Sequence, residues 1–361
     1  MPDLNQKPQH FSRILLKWDR ENNSRQMPWK GEKDPYKIWL SEIILQQTRV
    51  EQGLDYYERF IKTFPNVDRL ATAPENKVFK LWEGLGYYSR CRNLITTARH
   101  ISTDLKGKFP DNYEEIRKLK GVGPYTAAAI SSFAFNLPHA VVDGNVYRVL
   151  ARIFGISKPV DSTEGKKFFS ALANKLLDKQ QPGLYNQAIM DFGAVICKPA
   201  PICDQCPFQK YCIAYSKKTI NKLPVKDKKI KIKKRWFYYL VMECNGRLAI
   251  RQRIKKDVWQ QLYEFPLIET DAEKDIKTIL AAAEKQSLLP KNSYQLIATS
   301  PVYKQQLSHQ LIGGQFILFK LNRNRDAGNG SLWVERKKLG AYAFPKLINN
   351  YLEKNEFIHV K

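Results

Sequence analysis

The sequence predicts a mainly α N-terminal domain followed by an α+β C-terminal domain. Up to about residue 215, apolar residues recur at three- and four-residue spacing, as in KVFKLWEGL and GKKFFSALANKLLDK, which is the period of amphipathic helices. After Trp236 the period changes to two, which is typical of half-buried strands. Between the two patterns, KLPVKDKKIKIKKR holds eight basic residues and one acid, and this charge run predicts a solvated linker over residues 222–235.

The net charge of the chain indicates the class of partner that it binds. The 361-residue chain carries 60 Lys and Arg against 35 Asp and Glu, a formal charge of +25. Such an excess of positive charge favours a polyanionic partner, and nucleic acid is the first candidate, although a basic surface kept for solubility is the alternative. No apolar run approaches the roughly 18–20 residues of a membrane span, and MPDLNQKPQH lacks the apolar core of a signal peptide. We expect a cytoplasmic protein of bacterial type.

The first helical feature with chemical interest is the segment PYKIWLSEIILQQTRV, which predicts one helix over residues 35–50. Glu42 lies in it among Ile38, Leu40, Ile43 and other apolar residues. Apolar surroundings raise the pKa of a carboxyl group, so that it can hold a proton near neutral pH and act as a general acid. An ordinary exposed helix glutamate is the alternative.

A glycine turn between two helices comes next, in LKGVGPYTAAAISSFAF. Gly121 and Gly123 permit a tight turn with positive φ, and Pro124 suits the first position of the following helix. The free N–H groups of Gly121, Val122 and Gly123 at such a helix start form an anion site, so this helix-hairpin-helix predicts binding of a DNA phosphate. A plain interhelical turn is the alternative.

Asp143 lies in HAVVDGNVYRVLAR, between a β-branched run and a helix. This position predicts an N-cap. Glu42 and Asp143 are far apart in the chain, so their spacing does not show whether they meet.

Four of the six cysteines occupy one short loop, CKPAPICDQCPFQKYC: Cys197, Cys203, Cys206 and Cys212. A single C-x-x-C flanked by five-residue gaps differs from the paired knuckles of zinc ribbons and suits a 4Fe-4S cluster held by four thiolates. Zinc and disulfides are the alternatives.

In the C-terminal domain, WFYYLVME, Asn245-Gly246 and RLAIRQR predict a β-hairpin with a tight turn. We expect further strands at YQLIATS and QFILFKL, and helices at 271–286 and at the C-terminus.

Residues 10–212 resemble the adenine DNA glycosylases (MutY-type) of the helix-hairpin-helix and endonuclease III superfamily, through RQMPWK, WLSEIILQQTRV, LWEGLGYYSRCRNL, LKGVGPYTAAAI, VVDGNVYRVLAR and NQAIMDFGAVIC. The resemblance implies a two-lobed glycosylase fold with an iron–sulfur cluster loop over 1–221. For residues 236–361 it implies a MutT-like (Nudix-like) lesion-recognition domain, through WQQLYEFP and LSH, that lacks the magnesium-binding box.

The resemblance also implies roles for individual residues. Glu42 would protonate the departing adenine, Asp143 would stabilise the positive sugar or attack it, and Asn145 would position the water. The residues implied for binding are Gln47, Thr48, Leu85 and Tyr87 around the opposing 8-oxoguanine, Arg25, Trp29, Val50, Tyr125 and Gln187 around adenine, and Ser308 and His309 in the lesion-sensing loop.

Two features refine the expected activity. Tyr125 stands where bifunctional relatives carry a lysine nucleophile, so we count it with the catalytic residues and expect a monofunctional, monomeric enzyme of base excision repair. The first cysteine gap, KPAPI, holds five residues where the family usually has six. The competing hypotheses are an endonuclease III-like glycosylase for oxidised pyrimidines and a binding protein without catalysis.

Overall fold

The computed structural model describes residues 8–227, 232–290, 293–321 and 331–355. Their contacts divide the chain into two compact units, Met1–Thr72 with Arg92–Lys228 and Ala73–Cys91 with Lys229–Lys361. The second unit is therefore discontinuous in sequence, and the linear boundaries at 221 and 236 stay predictions. No helix in these described ranges is long and apolar enough to cross a membrane.

Helices account for the N-terminal part of the chain, as expected. In chain order they are α1 (Pro8–Asn22), α2 (Pro35–Leu45), α3 (Val50–Thr63), α4 (Val67–Ala71), α5 (Glu75–Trp82), α6 (Tyr88–Thr103), α7 (Tyr113–Lys118), α8 (Pro124–Phe135), α9 (Gly144–Ile153), α10 (Thr163–Leu176), α11 (Pro182–Val195) and α12 (Ile213–Ser216). The first unit's large core joins α1, α8, α9, α10 and α11 through fully buried rings, including Phe11, Phe169 and Phe192.

The prediction of one helix over residues 35–50 is wrong. Helix α2 ends at Leu45, and α3 begins at Val50. Gln47 has φ of 55°, a left-handed conformation that an α-helix cannot contain, and the amide of Thr48 donates to the carbonyl of Leu45 in a turn. The break turns Gln47 and Thr48 into loop residues.

The glycine turn joins α7 to α8, with Pro124 in the first turn of α8 as expected. Gly121 has φ of +84°, and a Cβ there would lie 2.7 Å from Cβ of Asn93. Gly123 instead has φ of −91° and caps α8 in an extended conformation, so the expectation of positive φ is wrong for this glycine. A Cβ on Gly123 would meet no atom within 4 Å, which leaves its backbone accessible to a ligand.

The second unit is α+β. Its strands are β1 (Lys233–Cys244), β2 (Arg247–Gln252), β3 (Tyr263–Glu264), β4 (Leu267–Thr270), β5 (Tyr294–Thr299), β6 (Tyr303–Gln306), β7 (Gln310–Leu321) and β8 (Leu332–Glu335), and its later helices are α13 (Ile276–Lys285) and α14 (Lys346–Lys354). The main path of the sheet is β3-β2-β1-β7-β5, in which β1 and β7 run parallel.

The hairpin of β1 and β2 forms as predicted. Asn245 and Gly246 have φ of 46° and 71°, the left-handed pair that a type I′ turn requires, and Cys244 is paired with Arg247 across it. Strand β1 already begins at Lys233, so the last three residues of the predicted linker belong to the sheet. The central strand β1 is buried on both faces: Leu240 packs toward α13, while Tyr239 stacks on Phe316.

The segment 73–91 belongs to the second unit through contacts with the C-terminal part of the chain. Lys80 Nζ donates to the carbonyl of Tyr342 (3.1 Å), and Oε1 of Glu83 accepts from the amide of Phe344 (2.7 Å). A short piece of the helical sequence is thus packed with the β-sheet unit.

Candidate active site

A cavity of about 690 Å³ opens in the first unit, and we call it the catalytic cavity. Many of the residues selected from the sequence line it: Arg25, Trp29, Glu42, Gln47, Thr48, Val50, Gly121, Gly123, Tyr125, Asp143, Asn145 and Gln187. They come from the loop between α1 and α2, from α2 and the loop after it, from the start of α3, from the glycine turn, from the starts of α8 and α9, and from α11. Folding therefore brings Glu42 and Asp143 to one site, which their spacing could not show.

The pKa of Glu42 lies above the ordinary range of a carboxyl group. Its side chain is buried, with 7% of the residue exposed. Burial raises the pKa of Glu42 to about 7, a hydrogen bond from the Tyr125 hydroxyl lowers it, and the charge of Asp143 raises it further. A carboxylic acid with this pKa is half protonated at neutral pH, as a general acid needs.

Asp143 caps helix α9, as predicted. Its Oδ1 accepts from the amide of Val146 (2.8 Å), and its Oδ2 accepts from Nδ2 of Asn145 (2.9 Å). Burial raises the pKa of Asp143, while these two hydrogen bonds and the charge of Arg148 oppose the increase. The capping hydrogen bonds therefore fix the carboxyl group of Asp143 at the cavity surface. Asp143 can cap the helix and still take part in chemistry in the cavity.

Arg148 connects this carboxyl region to the cysteine loop. Its Nη2 donates to Oδ1 of Asn145 and to the carbonyl of Gly193, both at 2.7 Å, and its Nε donates to the carbonyl of Cys197 at 2.7 Å. Arg148 was not among the residues predicted from the sequence. The available signal was a basic residue five positions after Asp143 in the same predicted helix.

Asp191 is a second residue that sequence reasoning missed. Its fully buried carboxylate accepts from Asn23 Nδ2 (3.0 Å), Arg25 Nη1 (2.7 Å) and Lys30 Nζ (3.1 Å). These contacts tie residues 23–33, which we call the strap, to helix α11. Arg25 thus lines the cavity while its charge is engaged with Asp191. The available signal was a single charged residue within the otherwise uncharged helix PGLYNQAIMDFGAV.

The four loop cysteines line one small pocket together with apolar residues such as Ile153 and Phe192. None of the six cysteines forms a disulfide. In the described residues, no three His, Cys, Asp or Glu side chains are arranged to hold a metal ion directly. Four soft sulfur donors around one apolar pocket are a donor set that fits an iron–sulfur cluster.

The shortened first gap of the cysteine loop is braced by Arg152, which is 4% exposed. Its guanidinium donates to the carbonyls of Lys198 (2.8 Å) and Pro199 (3.0 Å) within the gap, and Nη1 lies 3.8 Å from Sγ of Cys197. These bonds give the carbonyl groups of Lys198 and Pro199 a hydrogen-bond donor from helix α9.

Among the remaining selected residues, Val122 lies in the glycine turn of the first unit, where its amide donates to the carbonyl of Leu119 (3.0 Å) and is therefore not free, contrary to the prediction. The other four lie in the second unit. Ser308 and His309 are exposed at the tip of the turn between β6 and β7, where the amide of Leu307 donates to the carbonyl of Gln310 (2.7 Å). The hydroxyl of Tyr87 lies 2.6 Å from Oγ of Ser308, which links two residues selected for lesion recognition. Leu85 is buried, with 5% exposed.

Two family models match the chain. Residues 40–175 match the HhH-GPD superfamily base excision DNA repair protein model, and residues 237–354 match the NUDIX domain. Among curated proteins, the chain is 33% identical to the adenine DNA glycosylase of Buchnera aphidicola subsp. Schizaphis graminum over 349 residues, covering 95% of this chain and 98% of that protein. It is 41% identical to the Mus musculus adenine DNA glycosylase over 217 residues, covering 57% and 42%.

Solved structures agree on the fold of the helical part. The chain is similar to a thermostable thymine-DNA glycosylase, with 32% identity and a TM-score of 0.55, over 59% of this chain and 98% of that one. A trapped endonuclease III–DNA covalent intermediate matches 59% of this chain and 97% of that chain at a TM-score of 0.51, and its 20% identity makes it evidence for the fold alone.

Proposed function

Since the chain belongs to the adenine DNA glycosylase family, we propose that it is a monofunctional DNA N-glycosylase that hydrolyses the glycosidic bond of adenine paired with 8-oxoguanine or guanine. The observation that carries this proposal is the meeting of Glu42 and Asp143 on one cavity. Hydrolysis through an oxocarbenium-like state needs an acid for the leaving group and a carboxylate near the cation, and the cavity offers both.

Glu42 is proposed as the general acid. Adenine leaves poorly as an anion, so a proton on a ring nitrogen lets the bond between C1′ and the base break with its electron pair going to a neutral leaving group. The buried carboxyl of Glu42, with a pKa of about 7, holds that proton at neutral pH. Tyr125, which donates to the same carboxyl, orients it.

Asp143 and Asn145 are proposed to act on the sugar. The carboxylate of Asp143 is fixed by the amide of Val146 and by Asn145, so it is in place before positive charge develops at C1′. The arrangement supports ion pairing with the cation or covalent attack on it. Asn145 is itself held by Arg148, so its amide is oriented to position the attacking water.

Strand cleavage by β-elimination through a Schiff base needs an amine nucleophile, and position 125 carries a phenol. We therefore propose a monofunctional reaction that ends at the abasic site. Borohydride trapping of the enzyme on a substrate duplex is expected to give no covalent adduct, and a rapid adduct with strand nicking would contradict the assignment.

Recognition of 8-oxoguanine is proposed for Ser308 and His309, with Tyr87, Leu85, Gln47 and Thr48 around the opposing base. The exposed hydroxyl and imidazole at the tip of the β6–β7 turn are hydrogen-bonding groups that could read the oxidised edge of guanine. Arg25, Trp29, Val50 and Gln187 would surround the extruded adenine, because they line the catalytic cavity with Glu42.

Cys197, Cys203, Cys206 and Cys212 would hold a 4Fe-4S cluster. When bound, the cluster would cross-link the four cysteines and so stabilise the loop, and the proposed hydrolysis requires no redox step. Arg152 and Arg148 would hold the loop that carries it against helix α9.

Binding to double-stranded DNA would use the amides at Gly121 and Gly123 together with the basic surface, since the amide of Val122 already donates to the carbonyl of Leu119. The net charge of +25 supports an affinity that falls with log salt, with a slope of about −0.9 per phosphate neutralised. A dissociation constant insensitive to salt would contradict this part of the proposal.

The decisive experiment is a single-turnover gel assay with three duplexes, carrying adenine opposite 8-oxoguanine, thymine glycol, or no lesion. We expect alkali-revealed cleavage of the adenine strand only. The Glu42→Gln variant should lose this cleavage, whereas Glu51→Gln, which changes an exposed acid on α3, should keep it. Cleavage at thymine glycol would favour the endonuclease III-like alternative.

A further inference from the structure

A second cavity of about 350 Å³ lies next to the catalytic cavity in the first unit, and we call it the rear cavity. The two cavities share three lining residues, Trp29, Glu42 and Gln187. The proposed acid therefore forms part of the wall between them. Nothing in the proposed hydrolysis itself uses the rear side of this wall.

The rear cavity has the size and the wall chemistry for a free purine base. Ligand cavities of roughly 300 Å³ and above hold small organic molecules larger than a purine. Its wall carries the polar side chains of Gln26, Lys30, Glu32 and Lys33 beside the apolar rings of Trp29 and Phe133. An aromatic and polar wall of this kind suits a flat base with several hydrogen-bonding groups.

One end of the rear cavity faces solvent. Gln26, Gly31 and Lys33 on the strap are exposed, and Leu184 of α11 is 38% exposed. The opposite end closes on Glu42, which is 7% exposed. The cavity therefore runs from the protein surface to the group that would protonate the base.

The strap forms one side of this passage and is held at separate points. Lys30 Nζ pairs with Asp191 (3.1 Å), and Lys33 Nζ donates to the carbonyl of Phe133 (2.9 Å). Gly31, with φ of +83°, lies between these two anchors. Glu32, between these anchors, also pairs with Lys37 of α2 (3.1 Å). The exposed side chain of Lys33 is therefore the contact on this side of the passage that exchanges most easily with water.

The DNA itself would close the front exit after cleavage. The abasic strand would still be held at the glycine turn, whose residues Gly121 and Gly123 line the catalytic cavity. We infer that the excised purine base leaves through the rear cavity, past Trp29 and Gln187, while the abasic duplex remains bound in front. This inference rests on the proposed excision of adenine and is independent of which base lies opposite.

The test separates excision from release in the full-length protein with its metal content intact. A duplex labelled with ¹⁴C in the target adenine and ³²P at the strand end is mixed with excess enzyme. Acid quenching measures excision, and rapid filtration through a protein-binding membrane measures adenine that has left the complex. We expect wild-type adenine to appear in the filtrate at the rate of excision while the abasic duplex stays on the membrane.

Leu184→Trp should obstruct the mouth of the rear cavity. We expect excision within about twofold of wild type and adenine release slower by about tenfold, equivalent to a barrier higher by roughly 1.4 kcal/mol. Leu184→Ala is the matched control and should release adenine at the wild-type rate. Gln26→Trp blocks the mouth from the strap side, so it repeats the test if the first variant folds poorly.

Two results would overturn the inference. One is adenine release at the wild-type rate in both tryptophan variants, and the other is wild-type adenine leaving only together with the abasic duplex. Absence of excision in the acid quench is a different failure, because it removes the proposed adenine glycosylase activity and this inference with it.

Discussion

The hydroxyl of Tyr87 lies 2.6 Å from Oγ of Ser308, and this hydrogen bond joins two residues 221 positions apart. Both side chains are exposed there, at the tip of the β6–β7 turn and in the segment after α5. A hydroxyl pair on an accessible surface can exchange its mutual bond for bonds to a base edge at little net cost.

Ser308→Ala is therefore expected to lower discrimination between 8-oxoguanine and guanine opposite adenine. Loss of one hydrogen bond of about 1 kcal/mol corresponds to a roughly fivefold smaller ratio of the two excision rates. The measurement is single-turnover excision on both duplexes. Thr299→Ala, at an exposed position on β5, is the control, and an unchanged ratio in Ser308→Ala would remove Ser308 from the recognition site.

The pH profile of excision should report Glu42. Because burial raises the pKa of Glu42 to about 7 and the acid form donates the proton, the rate should fall about tenfold per pH unit above that value. Tyr125→Phe removes a hydrogen bond that lowers this pKa, so its alkaline limb should shift to higher pH. A wild-type profile that stays flat from neutral pH into mild alkali would exclude Glu42 as the acid.

Glu42 should also reduce the stability of the native state at alkaline pH. The native carboxyl has a pKa of about 7, whereas an unperturbed glutamate has a pKa of about 4.5. Between these values the native state binds more protons than the unfolded state, so its stability falls as pH rises. Above pH 7 the full cost of an ionised buried group is present. The difference between the two pKa values, at about 1.4 kcal/mol per pH unit, corresponds to a loss of stability of about 3 kcal/mol.

Glu42→Gln should remove this cost. We expect its free energy of unfolding in urea to exceed that of wild type at pH 8 and to approach it at about pH 4, below both pKa values. Glu51→Gln should show no such dependence. A variant less stable than wild type at alkaline pH would show that Glu42 is stabilised in its ionised form.

Asp191→Ala should both destabilise the strap and lower the rate of excision. The substitution leaves Arg25 and Lys30 without their buried partner, but both side chains are about a quarter exposed, so the cost should lie below the roughly 3–5 kcal/mol of a fully buried pair. Thermal unfolding and excision rates measure the two effects. A double-mutant cycle with Arg25→Met should give a non-zero coupling energy, and simple additivity would contradict the contact.

Cys206→Ser is expected to lower the iron and sulfide content of anaerobically purified protein and to destabilise the cysteine loop, since metal binding and folding of such a loop are coupled. Cys244→Ala, in the β-sheet unit, is the control and should keep both. A colourless wild-type protein that contains zinc would contradict the cluster.

Features that depend on near neighbours in the chain were predictable from the sequence. The cap formed by Asp143 requires a carboxylate three residues before the amide of Val146, and the turn at Asn245-Gly246 requires two residues that tolerate left-handed backbone. The four cysteines likewise lie close together in the sequence, within residues 197–212. In each case the residues lie within one short stretch of the chain, so the local sequence predicts that they are near one another.

Contacts between segments that are far apart in the chain could not be predicted from the local sequence. The helix predicted over residues 35–50 is interrupted at Gln47, although the local pattern favours a continuous helix. Asp191 binds Arg25 and Lys30, which lie more than 160 residues away in the chain. The parallel pairing of β1 with β7 is equally non-local. The sequence alone therefore determined which groups can donate protons, cap helices and bind metal. Only the tertiary structure decided that Glu42 and Asp143 share a cavity, because packing of the helices sets that proximity, and the spacing of the two residues in the chain does not.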